Sequence, residues 1–444
     1  MDTVRVKTPC GEVEGFIEDG IQHFLGIPYA SAGRFEYPKE ITSWDGVLKA
    51  LEYGPAPIQQ RTYVTIDAAD PKNHYEHEFY QNFESDYSDD CLNLNIWAPE
   101  NAKNCPVLII IYGGGLVSGQ NNSPECNGKA LAQQGIITVA MNYRVNIFGF
   151  IAMKELEDEN GKSGNYGYYD QQVAISWIRR NIQSFGGDAG NMTLMGQSAG
   201  AASCETQIKS PLNQGVFKQA IILSSAGFST FIKQKKDNTK EYAKWHQVYE
   251  KTGCGSIAEF KRLPAKALFD AFTEVSASQS MGFCNAVYDE NFTSEIKNAP
   301  CQTKIMCSVT SEDVMPFILY WMCGFLARSQ NKIGVDTYTY YFRRQLPGDK
   351  KGAWHGSELP YIMGWLPHSW RPFTGEDYTL FENMLAYLSN FAKQGDPNGD
   401  GLAPWLPYNQ SKQFMIFDED TPRMGKAEVI RLIKNTIHSN GIGM

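Results

Sequence analysis

The sequence is short of basic charge, of paired cysteines and of long apolar runs, and each shortage removes a class of function. Lys and Arg number 40 against 49 Asp and Glu, a formal net charge of −9 over 444 residues. An acidic surface repels phosphate backbones and anionic lipid, so nucleic acid and membrane surfaces are poor partners. The apolar run Val107 to Ile111 is a strand's length, and no stretch is long enough to cross a bilayer. The 10 cysteines are scattered, with no Cys-x-x-Cys pair. A chain of this size needs no disulfide staples, so most read as reduced, buried, small apolar side chains. Residues Met1 to Cys10 hold no apolar stretch behind a basic start, so no signal peptide is expected and a cytoplasmic home is.

What remains is 42% hydrophobic and 20% charged, the composition of a globular protein with a large core to fill. The first third carries turn-rich, strand-like pieces at Gly15 to Ile17, Phe24 to Tyr29 and Leu94 to Trp97. From Pro106 the pattern changes to short apolar runs alternating with helices. Val107 to Tyr112 and Ile136 to Met141 are continuous β-branched runs, as in strands buried on both faces. Further strands are expected at Met192 to Met195, Ala220 to Leu223, Lys304 to Val309 and Thr337 to Phe342. A helix is expected over Tyr169 to Phe185, with Val173, Ala174, Trp177, Ile178 and Ile182 on one face. The alternation predicts an α/β fold: a large, mostly parallel sheet covered by helices, with antiparallel N-terminal edge strands. Residues 1–444 read as one catalytic domain, with a helical excursion at about 228–300 that includes the Lys-rich stretch Lys233 to Lys240.

Met192 to Met195 leads into Gly196-Gln197-Ser198-Ala199-Gly200 and then a run of small helix formers, Ala201 to Ile208. Strand, Gly-x-Ser-x-Gly and helix in that order describe the sharp turn that exposes a nucleophilic serine in an α/β-hydrolase. At the helix N-terminus the backbone dipole favours developing negative charge. Upstream, Val107 to Ile111 runs into Tyr112 and the glycines 113, 114 and 115. Glycines at a strand's C-terminal end let backbone N–H groups approach a ligand, so Gly114, Gly115 and Ala199 are the candidate oxyanion donors.

The fold orders nucleophile, acid and histidine along the chain. Among the 7 histidines, His355 sits in a glycine-flanked loop after the strand Thr337 to Phe342, where a general base is expected. His438 falls instead in the amphipathic segment Glu428 to Ser439. The acid should follow Lys304 to Val309, where Glu312 and Asp313 stand side by side, and either can hold an imidazole. His74 and His77, with Glu76 and Glu78, have the residue types of a metal site, but their polar, loop-like surroundings read as solvated surface. Asp396 to Gly401 opens like a calcium loop, yet Pro407 stands where a bidentate glutamate is required. No metal and no cofactor is expected.

These residues together resemble the type-B carboxylesterase family, bacterial esterases included. The likeness is carried by Gly26 to Ala30, Arg34-Phe35, Trp44 to Gly46, Tyr53 to Pro55, Ser88 to Trp97, Asn165 to Gly167, Asp170 to Gln172, Phe185 to Asp188 and Gly196 to Gly200. The resemblance selects Asp313 as the acid, with Glu312 where the family usually has aspartate and Val314 in place of its glycine. It implies a brace between Arg34 and Asp89. There are departures. Gln197 replaces the usual glutamate beside the nucleophile, which removes a negative charge. Ile58 stands where a partner cysteine for Cys91 is expected, and Cys254 has no near partner either. The tryptophan that cradles quaternary ammonium in cholinesterases falls near Gln81. The short acid-to-histidine spacing implies a missing helical insertion and a wider gorge open to bulky esters. The implied function is a serine carboxylesterase working through an acyl-enzyme on a small-molecule or side-chain ester. An aryl, feruloyl or acetyl esterase acting on plant polysaccharide shares every catalytic residue; residues 278–326, rich in Met and aromatics, are expected to line the pocket or the core. A non-catalytic binding member of the fold is the remaining reading, and the complete Ser198, Asp313 and His355 set argues against it. No oligomeric state is legible.

Overall fold

The computed structural model describes residues 2–64, 74–80, 83–226, 237–277, 284, 286–292, 301–418 and 421–439. Among these, one 13-stranded sheet organises the chain. In space the strands run Asp2–Thr8, Gly11–Glu18, Ile21–Pro28, Asn93–Pro99, Ile137–Met141, Cys105–Ile111, Gly187–Gln197, Phe217–Leu223, Lys304–Thr310, Thr337–Phe342, Phe414–Phe417 and Arg423–Gly425, with Val47–Lys49 beside Gly11–Glu18. Apart from Val47–Lys49, which pairs parallel with Gly11–Glu18, the N-terminal strands pair antiparallel up to Asn93–Pro99. From Ile137–Met141 across to Phe414–Phe417 every neighbour is parallel. This is the mixed, mostly parallel sheet that the apolar runs imply. Ile137–Met141 is buried at every position and Cys105–Ile111 at all but its first two, as two-sided helix cover requires.

The helix expected over Tyr169 to Phe185 spans Tyr166–Asn181 and then tightens into a 3₁₀ turn, Ile182–Phe185. Its buried face carries Ala174, Trp177 and Ile178, while Val173 is only partly buried. The helices Thr239–Thr252, Ile257–Arg262 and Ala265–Ala277 occupy the span read as an excursion; Lys233 to Gln234 and Lys235 to Lys236 lie outside the described residues. All 10 cysteines are free thiols, and Cys105, Cys254 and Cys301 are only partly buried. Arg34 Nε pairs with Asp89, and its Nη1 reaches carbonyls at Lys261 and Leu263, so the brace ties the N-terminal blocks to the helical excursion. No helix among the described residues is long and apolar enough to cross a membrane.

Parallel sheets of this kind place their loops for chemistry at the carboxyl ends of the strands. Here Tyr112, Ser198, Ser224 and Asp313 all follow the last residues of adjacent parallel strands. Backbone bonds beyond the strand ends keep these loops in register: Ser224 N–H donates to Ser308 O at 3.1 Å and Ser311 N–H to Phe342 O at 2.9 Å.

Candidate active site

The strand Gly187–Gln197 turns directly into the helix Ala199–Lys209, and Ser198 takes the turn at φ 57° and ψ −126°. Such a conformation costs a non-glycine residue about 1–3 kcal/mol, so the surroundings must impose it. They do so through Ser198 N–H, which donates to Leu223 O at 2.9 Å on the next strand. The flanking glycines follow from space alone. A Cβ on Gly196 would stand 2.4 Å from the Gly200 carbonyl carbon, and one on Gly200 would stand 2.1 Å from Ile111 O. A side chain at either position would strike backbone, so both flanking residues must be glycine.

On the neighbouring strand's end, Tyr112, Gly113 and Gly114 line the same cavity as Ser198. Gly114 O accepts the N–H groups of Val117 and Ser118, which closes the glycine turn. Among the described residues no hydrogen bond engages the N–H of Gly114, Gly115 or Ala199. Ala199 opens its helix, where the first N–H groups have no intrahelical partner.

His355 Nδ1 lies 2.5 Å from Asp313 Oδ1. Asp313 is 1% exposed, and its Oδ2 accepts from Ser224 Oγ at 2.7 Å and from both the N–H and Oγ1 of Thr310 at 3.1 Å. Burial pushes its carboxyl up, but the His355 charge and these hydrogen bonds outweigh burial and hold it below the usual range. An ionised carboxylate only accepts, so the ring proton sits on Nδ1 and the Nε2 lone pair faces outward. Burial likewise disfavours the imidazolium, yet the charge and hydrogen bond of Asp313, with the charge of Glu358, raise His355 above its ordinary value.

Glu312, the rival carboxylate, does other work. Its N–H donates to Ala353 O at 3.0 Å and its Oε2 accepts from Ala353 N–H at 2.9 Å. Its Oε1 accepts from Arg431 Nη2 at 2.8 Å and from Asn435 Nδ2 at 3.2 Å on the helix Val429–Ser439. It pins the loop two residues before the histidine and points away from the ring's partner.

Ser198 and His355 share a cavity of about 220 Å³, closed by Arg61, Tyr75, Glu76, Tyr80, Gly119, Glu125 and Gln197. Among the described residues Ser198 Oγ has no hydrogen-bond partner; His355 Nε2 meets Gln197 Nε2 at 3.2 Å instead. The expected hydroxyl–imidazole bond is therefore not made, although both groups face one space. The wall opposite the serine is polar. Arg61 pairs with Glu76 through Nε at 2.9 Å and sits 3.6 Å from the centre of the Tyr80 ring, and Tyr80 donates to Glu125 Oε1 at 2.6 Å.

Sequence reasoning missed that wall, and it placed His74 and His77 in solvated loop. They lie on the helix His74–Phe79, where Glu78 is buried against Arg371 at 2.6 Å and the histidine rings meet Trp354 and Trp370. The loop reading failed because tertiary partners, not local hydrophobicity, hold this short helix. Of the span 278–326, expected to line the pocket or the core, residues 278–283, 285 and 293–300 lie outside the described residues. None of the described residues in that span lines the cavity; Val287, Phe292, Leu319 and Met322 pack into the core. Gln81 lies outside the described residues. Two further groups went unnoticed: Ser224, the hydroxyl on Asp313, and Glu358. Glu358 is fully buried, and burial with the nearby Asp313 charge pushes its carboxyl up to about 7. Ser224 was findable, since it directly follows a parallel strand, as Ser198 does and Asp313 nearly does.

Comparison with known proteins gives a consistent result. The carboxylesterase family model matches residues 2–333 and 322–431. Bile salt-activated lipase of Mus musculus is 29% identical, over 91% of this chain and 81% of its own length; that of Homo sapiens is 27% identical, over 97% and 68%. A carboxylesterase of Geobacillus stearothermophilus superposes with a TM-score of 0.79 at 25% identity, covering 97% of this chain and 99% of the other. The match across nearly all the chain, on the α/β-hydrolase sheet, means that this protein belongs to the carboxylesterase family of carboxylic ester hydrolases.

Proposed function

We propose that the protein hydrolyses carboxylic esters in two acyl-transfer steps, with Ser198 as nucleophile, His355 as general base and Asp313 as the group that orients the ring. His355 Nε2 takes the serine proton as Oγ attacks the ester carbonyl. The carbonyl oxygen becomes an oxyanion, which the N–H groups of Gly114, Gly115 and Ala199 receive. The protonated ring then returns its proton to the leaving alcohol and an acyl-enzyme remains. Water, deprotonated by the same ring, attacks the acyl carbon; the serine leaves with that proton and the acid is freed. The chemistry needs neither metal nor organic cofactor.

The observation that carries this reading is the strained Ser198 at a strand end, in one cavity with a histidine whose Nδ1 is held by a buried carboxylate. The uncommitted N–H of Gly114, in the serine's cavity, and that of Ala199, next to the serine in the chain, support the oxyanion assignment. The rings of Tyr75 and Tyr80, set among the wall's charged groups, favour an aryl group on the ester as the second, narrower reading. Turnover of p-nitrophenyl acetate by the wild type and Ser198→Ala tests the mechanism. A loss of about 10⁶-fold in kcat is expected, as for removal of a nucleophilic serine elsewhere. Wild-type turnover in Ser198→Ala would move the chemistry to another group.

A further inference from the structure

His355 has one nitrogen committed and one available. Asp313 holds the proton on Nδ1, which leaves Nε2 as a lone pair. The group that meets this lone pair at 3.2 Å is the amide nitrogen of Gln197, which can only donate. Gln197 is the last residue of the strand Gly187–Gln197, paired in parallel register with Leu223, and is 7% exposed. Its reach toward the ring is thus fixed by the sheet. Among the described residues the Ser198 hydroxyl beside it has no hydrogen-bond partner.

Resting on the serine–histidine reading above, we infer that Gln197 is a positioning residue that holds the idle imidazole by its lone pair, off the Ser198 hydroxyl, and yields it when an ester seats. A ring whose lone pair already accepts a hydrogen bond is a weaker base toward the serine. When the ring takes the serine proton, Nε2 becomes a donor and an amide N–H facing it is repelled. Turning the same amide over presents Oε1 as an acceptor, so one neutral side chain serves both protonation states. A glutamate at this position has no proton to donate at neutral pH and favours the imidazolium alone. The charged and titratable groups around the ring are Asp313 and Glu358 on its own side and Arg61, Glu76, Glu125, Tyr75, Tyr80 and Tyr112 across the cavity. Gln197 is the neutral member that touches Nε2.

Two measurements test this. The rate at which a small fluorophosphonate inactivates the resting enzyme reports serine activation without turnover. Replacing the amide by an apolar side chain, in Gln197→Leu and independently in Gln197→Met, is expected to raise that rate roughly two- to tenfold, the worth of one hydrogen bond. In Gln197→Glu the acid limb of the kcat/KM profile for p-nitrophenyl acetate is expected to move up by about one pH unit, the shift that a nearby carboxylate gives. Labelling no faster than wild type in the folded apolar variants, or coincident acid limbs, overturns the assignment. Ser198→Ala keeps the two readings apart: an inactive serine variant with coincident limbs sinks the amide's role alone, whereas an active one sinks the serine mechanism.

Discussion

The floor and the wall of the cavity are built by different rules. The floor, which carries Ser198, Asp313 and the glycine turn, hangs from the ends of parallel strands that are apolar, buried and mutually hydrogen-bonded. The wall, which carries Arg61, Tyr75, Glu76, Tyr80 and Glu125, comes from short helices and loops held by side-chain pairs. A group on the floor is placed by backbone ladders and varies little; a group on the wall is placed by partners that distant mutations can remove. On the proposed mechanism the floor carries the chemistry and the wall the choice of substrate, so damage to each is expected to be read in a different measurement.

The largest expected effect lies on the floor. Asp313→Asn offers His355 an amide that can donate, so the ring is free to take the wrong tautomer. A fall of about 10⁴-fold in kcat is expected with little change in thermal stability. Steady-state kinetics on p-nitrophenyl acetate, beside a melting curve, checks it. A fall under tenfold would mean that Glu312 or another carboxylate orients the ring.

The wall breaks through stability instead. Glu78 is buried and holds Arg371, which also pairs with Asp349 at 2.7 Å, so Glu78→Ala leaves a buried cation with half its partners. A loss of about 3–5 kcal/mol in unfolding free energy is expected from breaking one side of a buried pair. Urea unfolding reads it directly. Fluorophosphonate labelling of Ser198 in the fraction still folded should persist, since the floor does not depend on this pair; loss of labelling in folded protein would join the two regions into one unit.

That difference also explains what could be read before any coordinates. The floor was legible because its signals are local and periodic: a β-branched run, a glycine pair around a serine, an acid just past a strand. His355 was legible because its loop follows a strand of recognisable composition. The preference for Asp313 over Glu312 needed the family resemblance, since both follow the strand and only contacts to Ala353, Arg431 and Asn435 reveal the separate job of Glu312. The wall was not legible. Arg61 finds Glu76 fifteen positions along the chain, and Glu78 finds Arg371 almost three hundred positions away, so no local periodicity contains the reason for either. At 278–326 an aromatic run says apolar surroundings, which core and pocket supply alike, and the described residues there take the core.

The smallest expected effect tests how far the floor extends behind the ring. His355 stands above its ordinary value because Asp313, aided by the Glu358 charge, outweighs burial. As a base the ring works only when neutral, so the acid limb of kcat/KM should lie above pH 6.5, the unperturbed histidine value. Glu358 releases its own proton near pH 7, and once ionised it favours the imidazolium. Glu358→Gln removes that charge and keeps the shape, so His355 should lose its proton more readily and the limb should move down, toward 6.5, by a few tenths of a unit. The stability side runs the same way. Burial raises the Glu358 carboxyl, so folding favours its protonated form, and the wild type should lose stability as pH rises from about 4.5 to about 7, a loss that Glu358→Gln should not show. A limb that stays put while the stability difference appears would place Glu358 in the core behind the site, electrically separate from the ring; a shift in both places it on the floor.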